Sequence, residues 1–205
     1  MKILVADDSQ KQRIAAEVAL KEHEVVVSDT FASTAELLKP EFNEERFRTM
    51  LVEAGLPVTF RAYDDGATEE QNAKYYELQD QAYDPCDFDV VLTDLMMPAE
   101  RDGLGRTGLP FVGDPMPYGF TVALLALKSG VPQVAIVSNG NADDGNHHNH
   151  PILNSCDRIE GTIVENRLTV FAGYNCPNMN EEKMPSEDKP HRIKDWATVL
   201  EKISG

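Results

Sequence analysis

Residues 88–95 read FDVVLTDL, and this stretch decides the fold class. A short apolar run that is bounded by polar residues is typical of a strand buried on both faces of a sheet. Four comparable runs predict four more strands: KILVA at Lys2–Ala6, EVVVS at Glu24–Ser28, QVAIVS at Gln133–Ser138 and RLTVFAG at Arg167–Gly173. Ile159–Val164 is a candidate for one further strand.

Helical patterns lie between these predicted strands. Apolar residues recur at helical spacing in 10–22, 31–39, 120–128 and 192–204. Strands that alternate with helices predict an α/β fold with a doubly wound, five-stranded parallel sheet. Ligands of such sheets bind outside the carboxyl ends of the strands, so the residues that end each strand are the candidate site.

The organisation of the chain changes between residues 40 and 86. Helical stretches at 44–54 and 68–83, rich in Glu, Gln and Tyr, flank a possible short strand at Val58–Tyr63. We interpret 40–86 as a helical insertion between the second helix and the third strand of one domain that spans 1–205. A small separate helical domain is the alternative. Residues 139–166 and 174–191 are expected to form long polar loops.

Composition excludes several classes of partner. The 205 residues include 35 Asp and Glu against 19 Lys and Arg, a formal net charge of −16. Such a chain repels nucleic acid and anionic lipid, and its positive residues are scattered singly. The longest apolar stretch, Phe120–Leu127, is too short to cross a bilayer. Three cysteines without CxxC spacing suit a reducing compartment, so we expect a cytoplasmic protein without a nucleic-acid or membrane partner.

Acidic and hydroxyl residues end three of the predicted strands. The first strand ends in Asp7 and Asp8, the third in Asp94, and the fourth in Ser138. Carboxylates that converge on one crevice repel each other unless a cation is present, and a hard divalent ion such as Mg²⁺ suits them. An Asp beside that ion is a plausible nucleophile toward a phosphoryl group, to which a serine hydroxyl can donate.

The three motifs ILVADDS, VVLTDLMMP and VAIVSNG, in this order, resemble the receiver domain of two-component response regulators. The resemblance implies a flavodoxin-like fold and a Mg²⁺ site, with Asp94 as the phosphoacceptor. It implies that Asp7, Asp8, Asp94 and the Met96 backbone carbonyl hold the metal and that Ser138 contacts the phosphoryl group. The implied partners are a histidine kinase or phosphotransfer protein and an unknown downstream protein.

The sequence departs from the receiver pattern at the fifth strand. The family places a Lys at the end of that strand, whereas this strand ends VFAG, at 170–173. Lys183, Lys189 and Lys194 lie downstream, and a long loop could return one of them to the pocket. His147 and His148 could also reach the acidic pocket, as cationic partners or as nitrogen ligands of a transition metal. The alternative for both histidines is a solvated loop.

Three functions remain open from the sequence. The favoured one is a stand-alone receiver-like signalling module, an acceptor that phosphorylates itself and acts through protein contacts, not a turnover enzyme. A metal-dependent phosphohydrolase or transferase with an Asp nucleophile is an alternative. A haloacid-dehalogenase-like enzyme would need a second Asp where Met96 stands, which counts against that class. A phosphorylation-independent pseudo-receiver is the other alternative.

Overall fold

The structure is a computed structural model, and it describes residues 1–63, 66–101, 109–138, 161–163, 167–172, 176–178 and 193–205. The chain divides into two compact units. The first unit consists of Met1–Lys39 and Asp87–Gly205, and the second of Pro40–Cys86. Each unit has its own apolar core.

A parallel sheet forms the centre of the first unit. Its strands are β1 (Lys2–Ala6), β2 (Glu24–Ser28), β5 (Val90–Thr93), β8 (Gln133–Ser138) and β10 (Leu168–Ala172), in the spatial order β2-β1-β5-β8-β10. The predicted α/β class and the five parallel strands are therefore confirmed. The strand order is compatible with a flavodoxin-like fold.

A sixth strand extends this sheet, in place of the five-stranded sheet that we predicted. β9 (Gly161–Ile163) pairs antiparallel with β10 at the edge, within the range that we named as a further candidate strand. An antiparallel edge strand is common on otherwise parallel sheets.

Helices cover both faces of the sheet. On one face, α1 (Gln10–Ala19) contacts α6 (Trp196–Ser204), the last helix of the chain. The core below these two helices takes alternate residues of the strands, as a period of two requires: Ile3, Val5, Val90, Leu92, Ala135, Val137 and Phe171. On the other face, α5 (Tyr118–Lys128) packs on β5 and β8 and contacts α2 (Phe31–Leu37).

The second unit is built from two helices and a short two-stranded sheet. α3 (Glu44–Glu53) and α4 (Glu69–Gln81) pack together, and β3 (Glu41–Phe42) pairs antiparallel with β4 (Tyr83–Asp84). Phe47, Leu51 and Leu78 lie in its core. Thr68 caps α4 in a capping box with Gln71, which satisfies amide groups that a helix start otherwise leaves unpaired.

One local feature differs from the sequence-based expectation. Val58–Tyr63 forms turns, not a strand, because Pro57 and a left-handed backbone at Tyr63 interrupt extended geometry. The stretch between β5 and α5 holds a small hairpin of β6 (Met97–Pro98) and β7 (Pro115–Met116). Within the described residues, no helix is long and apolar enough to cross a membrane.

Candidate functional site

The predicted convergence of acids occurs between neighbouring strands. Asp7 directly follows β1 and Asp94 directly follows β5, and the register pairs Ala6 with Thr93. Backbone pairing continues beyond the strand ends, because the Asp94 amide donates to the Ala6 carbonyl at 2.7 Å and the Asp7 amide to the Ser28 carbonyl at 3.0 Å. The sheet itself therefore fixes both carboxylates side by side.

Lys194 lies between these two carboxylates. Its Nζ atom donates to Asp7 Oδ2 and to Asp94 Oδ1, at 2.6 Å in each case. The exposed fractions of the side chains are only 2% for Lys194, 2% for Asp7 and 14% for Asp94. The three groups form a desolvated ion-pair cluster, which we call the Lys194 triad.

Contacts with α1 hold the segment that carries Lys194. The Lys194 amide donates to Gln12 Oε1 and the indole Nε1 of Trp196 donates to the Gln12 carbonyl, both at 3.0 Å. Trp196 is fully buried, and the Lys194 ammonium lies 5.2 Å from its ring centroid, within the range of a cation–π interaction. The lysine therefore reaches the carboxylates from a segment that is anchored in the core.

Electrostatics within the triad favour a charged lysine. Burial alone would lower the pKa of Lys194, but Asp7 and Asp94 outweigh that effect and raise the pKa above its usual value. Burial raises the pKa of Asp94 to about 6; Lys194 opposes this shift, while Asp7 and Asp8 add to it. Asp94 is therefore mainly ionised at neutral pH and protonated in mild acid.

Asp8 completes the acidic group from an exposed position. Partial desolvation of the carboxyl and the neighbouring charge of Asp7 raise its pKa, although Lys194 acts in the opposite direction. The Arg13 guanidinium does not bind these carboxylates but donates to the main-chain carbonyls of Asp7 and Asp8, at 2.6 and 2.8 Å. Among the described contacts, Asp8 thus makes no direct ion pair.

The residues around Asp94 are held closely. The Met96 amide donates to Asp94 Oδ2 at 3.1 Å, so each carboxylate oxygen accepts one hydrogen bond. Gly119, in the first turn of α5, lies against the Asp94–Leu95 backbone, where an added Cβ would come within 2.2 Å of the Asp94 carbonyl oxygen. Only glycine fits there without displacing the helix or the loop.

The structure places the other predicted residues less directly. Ser138 is buried at the carboxyl end of β8, the strand next to β5. It therefore lies at the predicted edge of the sheet, the edge that also carries Asp94. His147, His148, Lys183 and Lys189 lie outside the described residues. In the described part of the chain, no three His, Cys, Asp or Glu side chains are grouped as a metal site.

Sequence reasoning did not single out several residues that shape the site. Lys194 was one of three downstream lysines, and its position close to Ile193 and Trp196, which are both buried, was the signal that could have distinguished it. Gln12 carries no chemical signal in the sequence. Cys176 is also buried near the triad, and burial raises its thiol pKa to about 12, which makes it a poor nucleophile.

No family model, curated protein or solved structure matches this chain.

Proposed function

We propose that this chain is a receiver-like signalling module, with a doubly wound flavodoxin-like fold, that accepts a phosphoryl group on Asp94. The observation that carries the proposal is the Lys194 ammonium 2.6 Å from Asp94 Oδ1 at the carboxyl end of a parallel sheet. The resemblance to receiver domains implies a lysine beside the phosphoacceptor Asp. Here a residue just before the last helix supplies it, not the end of the fifth strand.

The chemistry requires an ionised Asp94. A carboxylate oxygen attacks the phosphorus of a phosphohistidine or a small phosphodonor. The new O–P bond forms as the old bond from phosphorus to the leaving atom breaks, and the leaving atom keeps that electron pair and takes up a proton. Because the pKa of Asp94 is about 6, the nucleophilic form dominates at neutral pH.

Lys194 has two roles in this proposal. Before the reaction, its ammonium holds the Asp94 carboxylate in place and reduces its repulsion by Asp7. During the reaction, the same ammonium can donate to the incoming phosphoryl oxygens, because Lys carries three N–H donors and no acceptor. Asp7 then keeps the ammonium near the reacting oxygen throughout.

We also propose a magnesium ion at this site. Asp8, Asp94 and the Met96 backbone carbonyl would supply hard oxygen ligands from the segments that follow two neighbouring strands, and the raised pKa of the Asp8 carboxyl supports a cation beside it. The Asp7 carboxylate would add negative charge beside this ion. When bound, Mg²⁺ would neutralise charge on the incoming phosphoryl group.

The proposed partners follow from the same resemblance. A histidine kinase or phosphotransfer protein would supply the phosphoryl group in the cytoplasm, and an unidentified downstream protein would receive the signal by contact. Ser138, at the end of the neighbouring strand, would contact a phosphoryl oxygen.

A pseudo-receiver that works without phosphorylation is the second candidate. One observation favours it: Lys194 already pairs with both Asp7 and Asp94, so these two carboxylates have a cationic partner within the protein. In that case the triad would serve only to stabilise the fold.

Intact-mass measurement separates the two candidates. The full chain is incubated with Mg²⁺ and a small phosphodonor, alongside Asp94→Asn and a control variant, Asp80→Asn, which changes an exposed acid of the second unit. The receiver proposal expects one added phosphoryl group on the parent and on the control, and none on Asp94→Asn. A parent that stays unmodified under these conditions supports the pseudo-receiver instead.

A further inference from the structure

The second unit presents an aromatic surface that its own fold does not cover. Tyr63 and Tyr76 have exposed fractions of 76% and 44%, and their ring centroids lie 6.1 Å apart. The Tyr76 ring is connected to the core of the unit, because it makes an edge contact with Tyr75, which packs on Phe47. We call Tyr63 and Tyr76 the tyrosine pair.

The backbone holds Tyr63 in this exposed position at an energetic cost. Its φ angle is +68°, in the left-handed region that a bulky side chain rarely adopts. The Tyr63 amide donates to Asn72 Oδ1 at 2.8 Å, and Asn72 lies on α4 one turn before Tyr76. Strain of this kind persists where surrounding contacts enforce it and is concentrated at functional positions.

The surroundings of the tyrosine pair are acidic. Residues 40–86 contain eleven Asp and Glu but only four Lys and Arg. Glu69 and Asp80 are exposed and share the helix face of Tyr76, at spacings of seven and four residues. A surface that combines tyrosine rings with carboxylates attracts cations by two effects, the ring quadrupole and the Coulomb field.

Three of the four basic residues of this unit make ion pairs with its own acids. Arg46 pairs with Asp84 at 2.6 Å, Arg48 with Glu44 at 2.5 Å and Lys74 with Glu77 at 2.9 Å. In the part of the chain that the structure describes, the lysines that lie over aromatic rings are Lys2, Lys194 and Lys202, all of the first unit. A cation from a partner molecule would therefore suit this surface.

We propose that the tyrosine pair is a docking site for a lysine- or arginine-rich segment of a partner protein. A cationic side chain of that segment lies over the two rings, and the neighbouring carboxylates pair with the flanking positive charges. The tyrosine pair belongs to the second unit and Asp94 to the first, and the proposal does not depend on phosphorylation.

The test uses the 205-residue chain and a fluorescently labelled hexalysine peptide as the probe, with binding followed by anisotropy. Replacing both rings, Tyr63→Ala with Tyr76→Ala, leaves the net charge unchanged and is expected to weaken binding about five- to thirtyfold. The variant Tyr63→Phe with Tyr76→Phe keeps both rings and is expected to bind within about twofold of the parent. Tyr83→Ala is the matched control, because Tyr83 is another exposed tyrosine of the same unit.

Several outcomes would overturn the proposal. Equal binding by the parent and the double alanine variant would show that the general negative charge of the chain attracts the peptide. An equal loss with Tyr83→Ala would show that the site is not the tyrosine pair, and tighter binding of a hexaproline peptide would point to a different class of partner. The single variant Tyr63→Ala keeps the test decisive if the double variant unfolds, because the Tyr63 side chain is mostly exposed.

Discussion

Two lysines of the first unit make ion pairs of the same length in opposite surroundings. Lys2 Nζ lies 2.6 Å from Asp87 Oδ2, and Lys194 Nζ lies 2.6 Å from both Asp7 and Asp94. The side chains of the first pair are 27% and 75% exposed, whereas those of the Lys194 triad are almost completely buried. The closest N–O distances are equal, but the triad is desolvated and the pair of Lys2 is not.

Desolvation changes both the energy and the chemistry of an ion pair. Water screens the pair of Lys2, and such surface pairs contribute about 0–1 kcal/mol to stability. The triad has lost that screening, so removal of Lys194 leaves two buried carboxylates without a cation. Desolvation also raises the pKa of Asp94, whereas the hydrogen bond from Lys2 lowers the pKa of the exposed Asp87.

Removing each lysine gives the largest expected contrast. Lys194→Met leaves Asp7 and Asp94 facing each other without a cation, and we expect a loss of about 3–5 kcal/mol in the free energy of unfolding. Lys2→Met is the matched control, with an expected loss below about 1 kcal/mol. Urea denaturation at neutral pH measures both, and similar losses would show that burial does not distinguish the two sites.

The pH dependence of stability gives the next largest effect. The folded protein keeps the Asp94 proton up to a pH of about 6, whereas the unfolded chain releases it near its ordinary value of 3.8. The contribution of Asp94 to stability is therefore fully present below the pKa of the unfolded chain, and it is lost as the pH rises through about 6. Raising the pKa of Asp94 from 3.8 to about 6 corresponds to a decline of about 3 kcal/mol in the free energy of unfolding over this pH range.

The substitution Asp94→Asn should remove this decline in stability with rising pH, so the variant should be more stable than the parent at neutral pH. Asp87→Asn is the control with the opposite sign, because the folded pKa of Asp87 is lowered and its stabilisation is lost as the pH falls. Urea midpoints between about pH 4 and 8 measure both. If Asp94→Asn keeps the slope of the parent, another group is responsible for it.

A third change displaces Asp94 without altering any charge. Gly119→Ala places a Cβ against the Asp94 backbone, and we expect a destabilisation of about 1–3 kcal/mol together with slower phosphorylation. Gly113→Ala is the control: its φ is +87° but its surroundings are open, so it reports backbone strain alone. Equal labelling rates for parent, Gly119→Ala and Gly113→Ala would mean that this contact does not position Asp94.

Salt gives the smallest effect and separates screening from burial. Raising the ionic strength to about 1 M shortens the Debye length to about 3 Å, which weakens exposed pairs far more than buried ones. The coupling energy of Lys2 with Asp87, from a double-mutant cycle, should fall toward zero, while that of Lys194 with Asp94 should change little. A parallel decline of the two coupling energies would contradict the burial of the triad.

The sequence predicted the part of the site that depends on the sheet. Because the carboxyl ends of parallel strands meet at one edge, the positions of Asp7 and Asp94 after two apolar runs were enough to bring them together. The α/β class followed from the same runs. The edge strand β9 was less certain, because three residues carry little periodicity.

The rest of the site depends on tertiary contacts that sequence periodicity does not contain. Lys194 is 100 residues away from Asp94 and reaches it because Gln12 anchors its backbone. The close approach of Gly119 is likewise visible only after α5 has packed on the Asp94 loop. The roles of Asp7, Asp8, Asp94, Met96 and Ser138 stay predictions, as do the roles of His147 and His148.

Chemical mapping of the phosphorylated residue tests the central claim most directly. After treatment with Mg²⁺ and a small phosphodonor, borohydride reduces an aspartyl phosphate to homoserine, which peptide mass spectrometry locates in the sequence. We predict homoserine at position 94 in the parent protein and none there in Lys194→Met labelled for the same short time. Homoserine at position 7 or 8, or no conversion at all in the parent, would contradict the assignment of Asp94 as the phosphoacceptor.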